Sequence, residues 1–341
     1  MIDSLSSRVA ERARVSTVAL VTFVSVSSLV GLGCSSAPDG SSTAPSSGAA
    51  APNATPPTVG QTGATGEALA FVGSRETVVD GIAAAENLMF SDTGRLFVTG
   101  DDGIYELTRD VSGDVTKTVV APAMTCKFAG MSEIGGVLYA ACYDQTGSNS
   151  FIYAGKLDPV PQFRSIYTLS GVALANGVAA DSQGRLYVAD SFDGTILRLG
   201  LAPTDPFAVA TKETFVAKGS NVLPNGLKFF GAAIYYTDFV SIKRVPLLPD
   251  GSAGPIATLD TQLTFFDDLY VDARRILVAN YLFGAVQVLT PGGIDLFDTA
   301  LFTFEGPSAI VPAEGRLGFS QNDLLVTEKS GNRVAVFHPT F

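Results

Sequence analysis

The sequence predicts an all-β fold, a six-bladed β-propeller built from four-stranded blades. A strand–turn–strand unit recurs six times along the chain. The copies are spaced by about 40–50 residues, which is the length of one propeller blade. The composition, with 35 Gly, 16% charged residues and no Trp, suits many short buried strands joined by tight turns. A β-solenoid is the alternative, but its repeats are much shorter.

Each unit centres on a five-residue apolar strand that is followed by a short turn and a third, alternating strand. The six central strands are residues 96–100, 138–142, 186–190, 234–238, 276–280 and 324–328. Turns such as residues 91–94 and 181–184 precede them, with Asp near the start and Gly at the end. Asp accepts backbone hydrogen bonds in such turns, and Gly tolerates the positive φ that closes them.

Residues 68–79 precede the first unit and have no blade of their own. We expect them to supply the outer strand of the last blade. That arrangement would close the ring and leave no sheet edge unpaired.

The N-terminus predicts export. Three arginines precede an apolar stretch over residues 15–32, which ends at Gly33-Cys34. This junction resembles a bacterial lipobox, which implies lipidation of Cys34, and Ser35 after it implies sorting to the outer membrane of a Gram-negative cell. A cleaved signal without a lipid and an uncleaved anchor helix are the alternatives.

The predicted domains are therefore an export signal (1–33), a Ser/Ala/Pro/Gly-rich tether (34–66) and the propeller (67–341). Export places Cys126 and Cys142 in an oxidising compartment, where we expect a disulfide; two buried free thiols are the alternative. The net charge of −11 argues against nucleic acid as a partner. Membrane contact is expected through the N-terminal lipid only.

One register position is predicted to converge on the central channel, because the innermost strand of every blade begins near the propeller axis. The residues at that position are Glu86, Ala129, Asn176, Asn225, Asp267 and Ser308. Two carboxylates and two carboxamides among them would neutralise and coordinate one divalent cation. Such oxygen donors favour Ca²⁺ over zinc. Taken singly, the Asn-Gly pairs could also be simple turns.

These residues carry a family resemblance. Glu86, Ala175-Asn176-Gly177, Leu223-Pro224-Asn225-Gly226 and Asp267 match, in order and spacing, the metal ligands of the gluconolactonase, senescence marker protein and luciferin-regenerating enzyme family. Paraoxonases and phosphotriesterases of the diisopropyl fluorophosphatase type are related to it. The resemblance implies a six-bladed calcium propeller with Glu86, Asn176, Asn225 and Asp267 as metal ligands.

The chain departs from that family in ways that affect the substrate. Leu174 stands where members active on sugar lactones have Arg, and Gly177 stands where they have an acidic residue. A sugar lactone is therefore not the expected substrate. His338 is the only histidine, which excludes the histidine pair that paraoxonases use.

The resemblance implies hydrolysis of a lactone or related ester, with the metal as Lewis acid and Asp267 as general base or nucleophile. We expect Phe265, Phe266 and Tyr281 to line an apolar channel mouth. The alternative is a non-catalytic propeller, similar to NHL-type or strictosidine-synthase-like proteins, that binds a partner at the cell surface.

Overall fold

The computed structural model describes residues 69–340 except 123–124, 159–160 and 173. This part of the chain contains 25 strands and one short 3-10 helix, and it forms the six sheets of a six-bladed propeller. The predicted fold class is confirmed. The predicted signal (1–33), tether (34–66) and lipidated Cys34 lie outside the described residues.

The first three blades follow one another along the chain. Blade 1 contains β3 (Leu88–Phe90), β4 (Leu96–Gly100), β5 (Gly103–Arg109) and β6 (Val115–Pro122). Blade 2 contains β7 (Cys126–Ile134), β8 (Val137–Asp144), β9 (Asn149–Lys156) and β10 (Gln162–Ser170). Blade 3 contains β11 (Ala175–Ala180), β12 (Arg185–Asp190), β13 (Thr195–Ala202) and β14 (Asp205–Val216).

The last three blades include both ends of the described chain. Blade 4 contains β15 (Pro224–Phe230), β16 (Ala233–Asp238), β17 (Ser241–Pro246) and β18 (Ala257–Thr261). Blade 5 contains β19 (Phe266–Val271), β20 (Ile276–Asn280), β21 (Ala285–Leu289), β22 (Asp295–Thr299) and β1 (Leu69–Phe71). Blade 6 contains β23 (Pro307–Pro312), β24 (Leu324–Glu328), β25 (Arg333–Pro339) and β2 (Gly73–Asp80), and the 3-10 helix (Arg316–Gly318) lies between β23 and β24.

The ring closes as the sequence predicts, because β2 is the outer strand of blade 6 and pairs antiparallel with β25. Side chains reinforce this closure. Arg75 of β2 and Arg333 of β25 both bind the carboxylate of Glu328, which is fully buried. The prediction that residues 68–79 all belong to the last blade is wrong for β1, which instead extends blade 5 by pairing parallel with β22.

The hydrophobic core lies between neighbouring blades. The second residue of each central strand packs into the cluster shared with the following blade. These residues are Phe97, Tyr139, Tyr187, Tyr235, Leu277 and Leu325. Burial of such a side chain contributes about 1.5–3 kcal/mol, so the repeated position stabilises each blade-to-blade contact.

Blade 2 also carries a covalent link. Cys126 of β7 and Cys142 of β8 form a disulfide with a Cα–Cα distance of 5.6 Å. Within the described ranges, no helix has the length and apolar character needed to span a membrane.

Candidate functional site

Glycines allow the inner strands to approach one another closely around the channel. A Cβ on Gly177 would lie 2.2 Å from the carbonyl oxygen of Asn225, and one on Gly226 would lie 2.5 Å from the Cα of Asp268. Neither glycine has a positive φ. Asn176 and Asn225 lie inside strands β11 and β15. The Asn-Gly pairs are therefore close-packing positions at the channel and not turns.

In three of the six blades, a threonine hydroxyl near the end of the central strand forms a link to the inner strand segment of the next blade. Each accepts a hydrogen bond from an amide of its own inner strand segment and donates one to a carbonyl of the next blade. Thr99 donates to Ala129, Thr237 to Asp267 and Thr327 to Glu86. Two of these three bonds therefore fix the main chain of a carboxylate-bearing site residue.

Three of the four predicted ligands come together in the channel. Asn225 Nδ2 donates a hydrogen bond of 2.7 Å to Asp267 Oδ1. Both residues are buried, and Glu86 lies near enough for its carboxylate to act on the charge of Asp267. Asn176 is half-buried and makes no side-chain hydrogen bond with the other three among the described residues.

Lys329 is the residue that sequence reasoning missed. It follows β24 directly, and its ammonium contacts Glu86 Oε2 as an ion pair. Its side chain is 32% exposed, so the lysine lies at the channel entrance with its charged end among the carboxylates. Desolvation opposes its charge, but Glu86 and Asp267 outweigh that effect and raise the Lys329 pKa.

A positional signal could have found it. The residues that directly follow the six central strands are Asp101, Tyr143, Ser191, Phe239, Tyr281 and Lys329. Tyr143 interacts electrostatically with Lys329, Glu86 and Asp267, and burial raises its pKa to about 12. This second register therefore also supplies residues to the channel, beside the register at the starts of the inner strands.

The pKa of the Asp267 carboxyl group is raised above the ordinary value of an aspartate. Burial is the largest cause that raises its pKa, and the neighbouring carboxylate of Glu86 adds to it, while Lys329 and the hydrogen bond from Asn225 oppose them. The adjacent Asp268 has its own partners: Lys228 Nζ lies 2.7 Å from Asp268 Oδ2, and Asn87 donates to the same oxygen. The channel thus holds two neighbouring carboxyl groups: that of Asp268, which is paired with a lysine, and that of Asp267, whose pKa is raised.

The entrance above these residues is largely apolar. A pocket of about 460 Å³ is lined by Tyr143, Leu174 and Phe192 together with polar residues of blade 2. On the far side, Phe265 packs between Phe239 and Tyr281, with ring centroids 6.1 Å and 5.8 Å away. Phe265 and Tyr281 are half-buried at the mouth, as the sequence predicts.

The prediction for Phe266 is wrong. Its side chain is fully buried in the core shared by blades 4 and 5, because successive residues of a strand point to opposite faces. His338 lies on β25, where Nδ1 bonds Asp323 Oδ1 at 2.9 Å. Asp190 accepts a bond from the amide of Asp193 in the following turn.

No protein-family model matches the sequence, and comparison with curated proteins finds no similar chain. Solved structures do match. A putative gluconolactonase has a TM-score of 0.57 at 18% identity, covering 79% of this chain and 92% of that one. A luciferin-regenerating enzyme has a TM-score of 0.56 at 15% identity, covering 79% and 96%. A calcium-binding protein, regucalcin from Agrobacterium tumefaciens, has a TM-score of 0.56 at 16% identity, covering 79% and 94%.

The chain has the fold of the gluconolactonase and regucalcin propellers. The resemblance expected from Glu86, Asn176, Asn225 and Asp267 is thus confirmed at the level of the fold, with most of each similar protein covered. At these identities the likeness extends to architecture alone.

The side chains present do not fit a calcium ion as they are placed. The oxygen types are suitable, but the ammonium of Lys329 contacts Glu86 Oε2, an atom that calcium would need. A second cation there would meet the lysine at short range in a poorly solvated site. Among the residues that the structure describes, no group of three or more His, Cys, Asp or Glu side chains is arranged to hold a metal.

Proposed function

We propose that this propeller hydrolyses a lactone or related ester at the entrance of its central channel. The observation that carries the proposal is Asp267, a buried carboxyl with a raised pKa, together with the ammonium of Lys329, which contacts Glu86 and acts electrostatically on Asp267 at the channel entrance. Perturbed groups of this kind cluster at catalytic sites. The fold shared with a putative gluconolactonase gives further support.

Asp267 would act as the general base or as the nucleophile. As a base, it takes a proton from the attacking water while the water oxygen bonds the carbonyl carbon, and the ring or ester C–O bond then breaks with proton return to the leaving oxygen. Asn225 fixes Asp267 Oδ1 by a bond of 2.7 Å, which leaves Oδ2 to accept the proton.

The positive charge of Lys329 would polarise the substrate carbonyl and stabilise the oxyanion that develops on it. The proposed reaction uses this lysine for the role that the sequence assigned to calcium. Tyr143 stays protonated at neutral pH because its pKa is about 12, so its hydroxyl could donate a second hydrogen bond to the same oxygen.

The substrate would carry an apolar part. Leu174 and Phe192 line the pocket beside the channel, and Phe239, Phe265 and Tyr281 form the opposite rim. A small sugar lactone would present hydroxyl groups to these mainly apolar side chains, which offer them few hydrogen-bonding partners. A lactone or aryl ester with an aliphatic or aromatic substituent suits it better.

The test is a panel of alkyl-substituted lactones and aryl esters assayed with wild type and Asp267→Asn. We expect hydrolysis by wild type and a loss of about 100-fold or more in kcat for the variant, because a positioned general base contributes that much. Asp190→Asn is the matched control, since Asp190 is also buried, also has a pKa raised by burial, and serves a turn.

Asp190→Asn should keep its kcat even if it loses stability. Equal turnover by wild type and Asp267→Asn would refute the assignment of Asp267. A folded wild type that turns over no member of the panel would instead favour the second candidate, a binding propeller. That candidate is supported by the exposed apolar residues at the strand ends around the channel, which include Phe192, Leu263 and Phe302.

We also propose that the protein works outside the cytoplasm, anchored by a lipid on Cys34. The disulfide between Cys126 and Cys142 supports an oxidising location. Cys34→Ala should move the protein from the membrane fraction to the soluble fraction. If the wild type itself fractionates as soluble, the lipid anchor is wrong.

A further inference from the structure

We propose that Lys329 is the resident cation of this channel and occupies the place that a divalent metal ion would take among Glu86, Asn225 and Asp267. The proposal deepens the proposed function, on which its catalytic consequence rests. Its binding consequence is independent of hydrolysis: the native protein should not take up calcium at this site.

The first argument is contact. The ammonium of Lys329 touches Glu86 Oε2, the same kind of oxygen that would ligate calcium. That oxygen is buried, and no group among the described residues donates a well-aligned hydrogen bond to it, so the ion pair with Lys329 is its charged contact. The lysine is therefore the group that compensates the buried charge of Glu86, which would otherwise be costly.

The second argument is charge balance. The channel holds the carboxylates of Glu86, Asp267 and Asp268, and it holds the ammonium groups of Lys228 and Lys329. Lys228 serves Asp268, whereas Lys329 serves Glu86 and acts on Asp267. Adding a divalent ion without expelling Lys329 would give this group a net positive charge in a poorly solvated site, which Coulomb repulsion opposes.

The third argument is that the backbone holds the lysine in position. The amide of Lys329 donates to the carbonyl of Gly306 at 2.9 Å, and the next amide, that of Ser330, donates to the carbonyl of Glu305 at 3.2 Å. Ser330 Oγ lies 3.1 Å from the hydroxyl of Tyr281. Lys329 therefore lies in a hydrogen-bonded turn between β24 and β25, and the backbone of this turn fixes the position from which its side chain reaches the channel.

The test is calcium titration of the EDTA-treated full-length protein by calorimetry, combined with melting temperatures with and without calcium chloride. Wild type should show no saturable binding and no shift in Tm. Lys329→Met should bind one calcium ion with a Kd of about 10⁻⁴ M or tighter, within the range of protein calcium sites. Its Tm should then rise on calcium addition, because the ion binds the folded state.

Two controls separate this from a general charge effect. Lys329→Arg keeps the cation and should stay without calcium binding. Lys228→Met removes the other channel lysine, which pairs with Asp268 at 2.7 Å, and should create no calcium site because Asp268 is bonded by Asn87. Circular dichroism establishes that each variant is folded.

Stoichiometric calcium in the purified wild type, removable by EDTA with a fall in Tm, would overturn the proposal whether or not the variants fold. So would the absence of calcium binding in a folded Lys329→Met. Neither result depends on turnover of any substrate, so failure of the hydrolase proposal remains distinguishable from failure of this one.

Discussion

The hydroxyl of Thr237 in blade 4 donates a hydrogen bond to the main-chain carbonyl of Asp267 in blade 5, and it accepts one of 3.0 Å from the amide of Gly226. A single threonine thus joins two inner strands at the level of the site. Thr99 makes the same link from blade 1 to Ala129 in blade 2, where alanine stands at the position that Asp267 occupies in blade 5.

This pair of threonines gives the first prediction. Thr237→Val and Thr99→Val should each lose about 1–3 kcal/mol of unfolding free energy, since each leaves buried hydrogen-bonding groups without a partner. Only Thr237→Val should also lower kcat, because it frees the backbone of Asp267. Chemical denaturation and esterase assays on both variants check this, and an equal fall in kcat for both would contradict it.

When the pH is lowered, hydrolysis should be lost at a pH that is still above the ordinary pKa range of carboxylates. Burial and Glu86 raise the pKa of Asp267, and a protonated carboxyl cannot accept a proton from water. The acidic limb of kcat/KM should therefore lie at the raised pKa. In Lys329→Met, measured with EDTA, the limb should move to still higher pH, because Lys329 lowers the pKa of Asp267. A limb unchanged by this substitution would argue against the electrostatic effect of Lys329 on Asp267.

Asp267→Asn should stabilise the fold at neutral pH while it abolishes turnover. An acid whose pKa is higher in the folded than in the unfolded state binds protons more tightly when folded, so stability falls as pH rises through that window. Replacing Asp267 removes this loss, and we expect a gain of about 0.5–2 kcal/mol. Denaturation at neutral and acidic pH should show a gain that shrinks as the pH falls from the raised pKa toward the ordinary carboxylate pKa and is absent below it.

Gly177→Ala should be strongly destabilising. Its Cβ would meet three backbone atoms of the next inner strand at 2.2–2.9 Å, and backbone cannot move aside cheaply. We expect a loss of about 3 kcal/mol from such overpacking. Gly292→Ala is the matched control, because it also lacks a positive φ and its Cβ would meet only Thr290 Oγ1 at 3.8 Å. Similar melting temperatures for the two variants would disprove the close-packing role.

Reduction of the disulfide should destabilise the propeller. Cys126 and Cys142 are 16 residues apart, and a link closing a loop of that length contributes about 3 kcal/mol. The double Ser variant should therefore melt at a lower temperature, and reductant should lower the Tm of wild type but not of the variant. Intact-mass measurement of the exported protein establishes whether the bond forms.

The sequence by itself determined the number of blades and the way the ring closes. Both follow from local patterns, since each unit repeats the same strand alternation and the segment before the first unit has no blade of its own. It also identified Glu86, Asn225 and Asp267 as neighbours, because one register position of a propeller must converge on the axis.

Only the tertiary structure decided which cation faces those carboxylates. Lys329 lies 62 positions after Asp267 by residue number and belongs to a different register, so its reach across the channel depends on the ring geometry and not on any local pattern. The same holds for Gly177, whose need to be glycine arises from the strand of the next blade. Ring geometry likewise placed Phe266, the first residue of β19, in the core, while Phe265, just before that strand, packs with the aromatic residues at the mouth. Sequence periodicity sets which residues share a level of the propeller, whereas closure of the ring sets which of them touch.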